Sequence, residues 1–306
     1  MTNKQKKKFL KKTITKSKII KTYCNKNKIP VKEIKLEKDI QPSDFIGTPN
    51  TNPPHTYALA GELQIYDSEG RHLKDYKAII NAEKRDKLFA IVSKGYKLIQ
   101  HDEVVQAVEN SIDALGLKSV NKTAQIDDGG RIRMTTNFPN ITVAVNNEIH
   151  NMMMFWDNSY NLTTGVRLIL GVYSPKGYPL YLDNKLANFY HRHTKGLDLE
   201  NFRKAIVAGI ATFKDNVQKE FSRMIETKLT MEKALNFLDT CIKEEVIAKC
   251  YLETLQNELR KMPADEMDSQ WILYNLINQV LGERVKSLDT KERHISALNK
   301  KLKNLK

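Results

Sequence analysis

The sequence predicts an α+β fold: a mainly antiparallel sheet with one early helix packed on it, followed by a helical C-terminal half. Three observations carry this. Apolar residues recur with period two through most of residues 58–182. One window inside that region, from Val104 to Leu115, changes to a helical period. After Asp198 the helical period continues to the end of the chain. Alternation places one side of a strand in the core, and a three-to-four spacing does the same for a helix.

Residues 1–28 hold eleven lysines and no acid, and they read as a flexible or partly helical arm. Residues 41–56, QPSDFIGTPNTNPPHT, carry four prolines among turn formers and read as a linker. Strands are expected at residues 58–67 and 71–80 around a DSEG turn, then at 88–92 and 96–100. Val104, Val105, Val108, Ile112 and Leu115 form one helical face, with His101 or Asp102 as N-cap and Gly116 as C-cap. Strands resume at 119–126, turn at Asp127-Asp128-Gly129-Gly130, and continue at 131–138, 142–145, 148–156, 163–173 and 178–182.

Phe202, Ile206, Ile210, Phe213, Val217, Phe221 and Met224 make the seam of one long amphipathic helix. Further helices are expected at 231–242, 245–260 and 269–287, with a basic final helix at 288–304. The expected division is therefore 1–56 as basic arm and linker, 57–197 as sheet domain, and 198–306 as helical region with a basic end.

The net charge of +14 is segregated: residues 1–28 carry +11, residues 291–306 carry +5, and residues 29–290 carry −2. Basic ends of this kind bind polyanions without sequence preference; a lysine-rich tail that only aids solubility is the plainer reading. Three cysteines, Cys24, Cys241 and Cys250, form no disulfide framework and no CxxC pair, which suits a reducing cytoplasm. No apolar run is long enough to span a membrane, and no apolar segment follows the charged N-terminus as a signal peptide would require.

The stretch FYHRHTKGLD, residues 189–198, concentrates the candidate chemistry. His191 and His193 at i, i+2 on a strand would point the same way, but a metal needs further ligands, and Asp183 and His150 lie at no diagnostic spacing. No serine sits in a G-x-S-x-G elbow, no carboxylate pair stands out, and no P-loop is present. A cationic clamp fits better. His191, Arg192, His193 and Lys195 precede Gly196 and a helix start, where backbone N–H groups favour an anion. Arg131, Arg133 and Arg167 are expected on strands of the same sheet, interleaved with aromatics that include Phe155, Trp156, Tyr160, Tyr173, Tyr178, Tyr181, Phe189 and Tyr190. Rings for stacking and cations for phosphates are what single-stranded nucleic acid requires. Trp156 and Phe189 are expected to be core.

Four segments in order resemble a known family, the phage/plasmid-like proteins grouped as a domain of unknown function. They are LFAIVSKGYKLIQHDEVVQAVE (88–109), FWDNSYNLTTGVRLILGVYS (155–174), DNKLANFYHRHTKG (183–196) and SQWILYNLINQVLGERV (269–285). The chain departs from the family pattern at Asn158-Ser159-Tyr160-Asn161, where an Asp-Gly turn is usual, and at residues 182–186, where Cys-Asn-Thr-Leu is usual. The resemblance implies a phage or mobile-element setting near replication and recombination, and no particular reaction.

The leading expectation is a non-catalytic protein that binds single-stranded DNA, in an annealing-type role, as a monomer or a homo-oligomer, with no cofactor, metal or membrane. Its contacts are expected at Lys6, Lys7, Lys8, Lys11 and Lys12 of the arm and at Arg131, Arg133, Arg167, Tyr190, His191, Arg192, His193 and Lys195. The alternative is a structural or interaction protein of the element, such as a virion cargo or host-defence antagonist. A metal-dependent nuclease at His191, His193 and Asp183 ranks third.

Overall fold

The computed structural model describes residues 57–67, 70–145, 148–175, 179–181 and 189–305. The fold is α+β, as the periodicities predict, but the strands form two sheets rather than one. The small sheet has the order β1-β2-β3, from β1 (Ala60–Tyr66), β2 (His72–Asn81) and β3 (Leu88–Ser93), all antiparallel.

The segment expected as a fourth strand, Tyr96–Gln100, is extended but joins no sheet. It bridges the two sheets instead. Lys97 N–H donates to His193 O at 3.1 Å, and the Gln100 amide both accepts from Ala60 N–H and donates to Ala60 O.

Helix α1 (His101–Ala114) follows, one residue earlier at its cap than expected, with Gln100 as N-cap. The Glu103 carboxylate accepts from Gln100 N–H at 2.6 Å, closing the first turn. At the other end Leu115 is the C-cap. Gly116 sits one residue beyond, at φ +62°, with Gly116 N–H bonded to Asp113 O and Leu117 N–H to Ile112 O. That is the Schellman arrangement, which places a left-handed residue where glycine costs least.

The large sheet runs β4 (Val120–Ile126), β5 (Arg131–Val145), β6 (Glu148–Ser159), β7 (Val166–Tyr173) and β8 (Pro179–Tyr181), and β9 (Phe189–His191) also pairs with β7. The two strands expected at 131–138 and 142–145 are one, with a register shift between Phe138 and Thr142. Pro139 lies in that shift, where its missing N–H costs the ladder nothing. The DDGG turn joins β4 to β5 with positive φ at Asp127, Asp128 and Gly129.

Helix α2 (Leu199–Glu226) buries Phe202, Ile206, Phe213, Val217, Phe221 and Met224, as its spacing predicts; Gly209 replaces half-buried Ile210 on the seam. Helices α3 (Met231–Lys243), α4 (Lys249–Lys261), α5 (Gln270–Arg284) and α6 (Leu288–Lys303) complete the chain. Trp271, Tyr274 and Leu281 of α5 are core. The helical half shares one continuous core with the large sheet.

Register assigns the two faces of that sheet. Asn158 donates to Ile99 O beside His101, so the start of α1 lies over the face bearing Trp156 and Asn158. Phe189 packs edge-on to Phe202 of α2 at 5.3 Å on the same face. The opposite face carries Arg131, Arg133, Asp157 and Arg167, and the first turns of α6 stand on it.

Candidate nucleic-acid interface

The candidate surface is built at the edge of β7. β8 and β9 both pair with β7, at opposite ends of the side away from β6. Close backbone approach is possible there because β7 is flanked and interrupted by glycine. A Cβ on Gly165 would lie 2.1 Å from His191 O, and one on Gly171 would lie 2.7 Å from Leu180 O.

Beyond His191 the strand ends, so the expectation that His191 and His193 share a strand face fails. The chain turns through residues 192–197 and enters α2. His193 is buried, its Nδ1 is 3.0 Å from Lys97 O, and its ring stacks on Tyr96 at 5.0 Å. Because Lys97 O only accepts, Nδ1 carries the proton, and Nε2 is buried without a partner among the described residues. Burial pushes the His193 pKa down to about 4. It is a neutral structural residue and leaves the clamp. His191 is half-buried, with Nδ1 2.6 Å from Arg192 O.

The helix start expected to receive an anion already holds one: the Asp198 carboxylate caps α2 by accepting from Glu200 N–H at 3.0 Å. Tyr190, Arg192 and Lys195 are exposed, Tyr190 at 56%. The paired backbones of Lys97 and His193 bring a second loop alongside them, with exposed Lys94 and Lys97; Lys97 Nζ donates to Leu197 O at 2.7 Å. Those two lysines were missed. No local signal could have found them, since 96 residues separate the paired segments.

Arg131, Arg133 and Arg167 are also removed from the clamp. Their guanidinium groups converge on Asp157, fully buried in β6. Arg131 Nη2 is 3.0 Å from Asp157 Oδ1, Arg133 binds both carboxylate oxygens at 2.7 and 3.2 Å, and Arg167 Nε is 2.8 Å from Oδ2. Helix α6 supplies two more acids. Asp289 takes both terminal nitrogens of Arg131 at 2.5 and 2.8 Å, and Glu292 accepts from Arg167 at 2.9 Å and Arg133 at 3.2 Å. Three cations meet three carboxylates, so no formal charge is left over for a ligand. Burial pushes the Asp157 pKa up, but the three guanidinium groups outweigh it and hold the carboxyl below its usual range. At Glu292 burial prevails and the pKa is raised; its Oε1 is buried with no partner among the described residues. An acid inside the apolar run MMMFWDNS was the available signal for Asp157. Nothing local marks Asp289 or Glu292.

Of the interleaved aromatics, Phe155, Trp156 and Tyr160 are buried, Phe189 is half-buried, and Tyr173 is 37% exposed. Tyr178, Asp183 and the arm lysines Lys6, Lys7, Lys8, Lys11 and Lys12 lie outside the described residues, as does any account of the side chain of Tyr181. Among the described residues no three His, Cys, Asp or Glu side chains are grouped as a metal site requires. His150 is fully buried, edge-on to Phe221 and Trp271. The basic C-terminal end is partly neutralised, because Lys301 pairs with Glu244, and Lys303 with Glu220 at 3.0 Å. Among the described residues no helix is long and apolar enough to cross a membrane.

A second buried histidine supports the junction of the sheets. His101 donates from Nε2 to Gly129 O at 2.9 Å, accepts at Nδ1 from Asn158, and stacks on Tyr160 at 3.9 Å. Burial pushes its pKa down to about 4. Both histidines are thus depressed from 6.5 in the fold. A depressed pKa contributes stability that is complete above the unfolded value and lost as pH falls toward the folded one. Unfolding near pH 5 should therefore take up close to two protons, and lowering the pH from 6.5 to 4 should cost about 3 kcal/mol per histidine. Urea midpoints across that range test this; a flat profile would contradict it.

No family model, no curated protein and no solved structure matches this chain.

Proposed function

We propose that this protein binds nucleic acid, single-stranded DNA in preference to duplex, in a non-catalytic, annealing-type role within a phage or other mobile element. The observation that carries the reading is the segregation of charge. The arm at residues 1–28 holds +11, while residues 29–290 hold −2. The arm supplies most of the phosphate contacts, including those of Lys6, Lys7, Lys8, Lys11 and Lys12. The surface of the two loops supplies the rest: Arg192 and Lys195 beside Lys94 and Lys97 for phosphates, and the exposed ring of Tyr190 for a base. The mobile-element setting rests on the family resemblance.

Tyr190→Ala and Arg192→Ala test the loop surface, since neither removes a buried group. Stacking on an aromatic side chain contributes about 1–3 kcal/mol per base. Tyr190→Ala should therefore weaken single-strand binding about tenfold and leave the thermal midpoint unchanged. Unaltered affinity in both variants would confine binding to the arm. A second reading, an interaction protein of the same element, is favoured by the internal neutralisation of the sheet arginines, which withdraws three cations from the expected clamp. It predicts no saturable binding to single strands.

A further inference from the structure

Register places the exposed ring of Tyr190 beside the buried ion cluster. Tyr190 is the Cα partner of Arg167, Arg167 of Asp157, and Asp157 of Arg133, so these four stand in one row across β9, β7, β6 and β5. Residues directly opposite one another in an antiparallel pair share a face. The row therefore runs from an aromatic ring to two guanidinium groups, and Arg131 joins them at Asp157. The other two acids of the cluster, Asp289 and Glu292, come from the first turns of α6. Without them the cluster holds three cations and one carboxylate, a formal charge of +2.

The two acids of α6 fit the cluster incompletely. Arg131 Nε and Arg133 Nη1 are buried donors without a partner among the described residues. Glu292 meets the arginines through Oε2, and its Oε1 is buried without a partner among the same residues. The acids also stand where they can be displaced. The Asp289 side chain is 55% exposed, whereas Asp157 is fully buried. The buried apolar side chains described on α6, Ile295, Leu298 and Leu302, all lie beyond Glu292, so a local opening of the first turns uncovers none of them. Lys291 Nζ donates to Gly282 O at 2.5 Å on a stem flexible enough to follow such an opening.

We infer that Asp289 and Glu292 hold the place of phosphate groups. Arg131, Arg133 and Arg167 form a phosphate-ester site beside Tyr190, and the first turns of α6 occupy it until nucleic acid displaces them. A phosphate offers arginine the same paired, charged oxygens as a carboxylate. A strand with one base stacked on Tyr190 brings its neighbouring phosphates toward Arg167. While α6 stays in place, the folded core offers only the surface of the two loops. The inference rests on the proposed function for the identity of the ligand alone.

Asp289→Asn tests it, because it keeps the volume, removes one competing charge and leaves Asp157 and Glu292 in place. The variant and the wild type would be titrated with a labelled oligo-dT and, separately, with inorganic tripolyphosphate. Asp289→Asn should bind each about fivefold more tightly, with a log–log salt slope for the oligonucleotide steeper by about 0.7. Adding Arg167→Gln to Asp289→Asn should remove the gain. Asp215→Asn, at an exposed acid of α2 over the opposite face, controls for net charge and should gain no more than about twofold. A gain with tripolyphosphate and none with the oligonucleotide would support the site and contradict the proposed function. No gain with either probe, or an equal gain in Asp215→Asn, would overturn the inference whether or not the wild type binds DNA. Hydrogen–deuterium exchange of the wild type serves if the variant fails to fold. Saturation with either probe should speed exchange at amides 291–294 about tenfold and leave those of 298–303 unchanged. Unaltered exchange at 291–294 would overturn the inference.

Discussion

Replacing Asp157 with asparagine is expected to lower the unfolding free energy by about 3–5 kcal/mol, the cost of leaving buried charge without its partner. The expectation follows from position. Asp157 is fully buried and accepts from Arg131, Arg133 and Arg167. Asparagine keeps the volume but removes the charge and half of the acceptor capacity. Asp289 and Glu292 remain, but Asp289 is half-exposed and Glu292 is the carboxyl whose pKa burial raises. Neither compensates for a charge at the centre of the sheet. The thermal midpoint should fall by roughly 10 °C. The first turns of α6 should lose exchange protection before the rest of the helix, since this network ties them to the sheet. Urea denaturation of Asp157→Asn checks the prediction, and a midpoint within error of the wild type would show that the arginines do not depend on it.

Gly165→Ala is the second large effect. The added methyl would lie 2.1 Å from His191 O and 2.8 Å from His191 C, both backbone atoms that no rotamer change can move. β9 must then separate from β7, where Val166 pairs with His191. A cost of about 3 kcal/mol is expected, at the upper end for inserting a methyl into a filled space. On the proposed reading the consequence reaches binding, because β9 carries Tyr190 and leads into Arg192 and Lys195. Single-strand affinity should fall at least as far as in Tyr190→Ala, with helical circular dichroism retained. Full affinity in a folded Gly165→Ala would mean that the position of β9 is irrelevant to binding.

Much of the fold was legible because its elements are amphipathic. The alternation of Ile132, Met134, Thr136 and Phe138 locates β5, and the seam from Phe202 to Met224 locates α2. The errors have physical causes. Residues 96–100 alternate like a strand, but Tyr96 and Lys97 N–H donate to turn carbonyls and Gln100 N–H to the Glu103 carboxylate, which no local pattern records. β9 stops at His191, short of the strand that a shared face for His191 and His193 assumed, and three residues carry no period of their own from which to read its end.

The candidate site was less legible, for one reason. Arg131, Arg133 and Arg167 were placed correctly on one face of a sheet, but what covers that face lies more than 120 residues away, at Asp289 and Glu292. Basic residues read from a sequence count as ligand contacts only until their internal partners are known. The same holds for His193, whose partner is a carbonyl 96 residues away. Tyr190, Arg192 and Lys195 survive because their side chains reach solvent.

On the proposed reading the folded core contributes a small surface and the arm most of the charge. Its most direct test is the salt dependence of single-strand binding. A labelled single-stranded oligonucleotide would be titrated by fluorescence anisotropy, beside a duplex of equal length. The proteins would be the full-length wild type and a full-length variant with Lys6, Lys7, Lys8, Lys11 and Lys12 changed to glutamine. The account predicts saturable binding that favours the single strand. The variant should bind more weakly, with a log–log salt slope shallower by up to about 3.5, that is about 0.7 for each lysine engaged. Absence of saturable binding by the wild type at low salt would contradict the account, and so would a slope unchanged by the five substitutions.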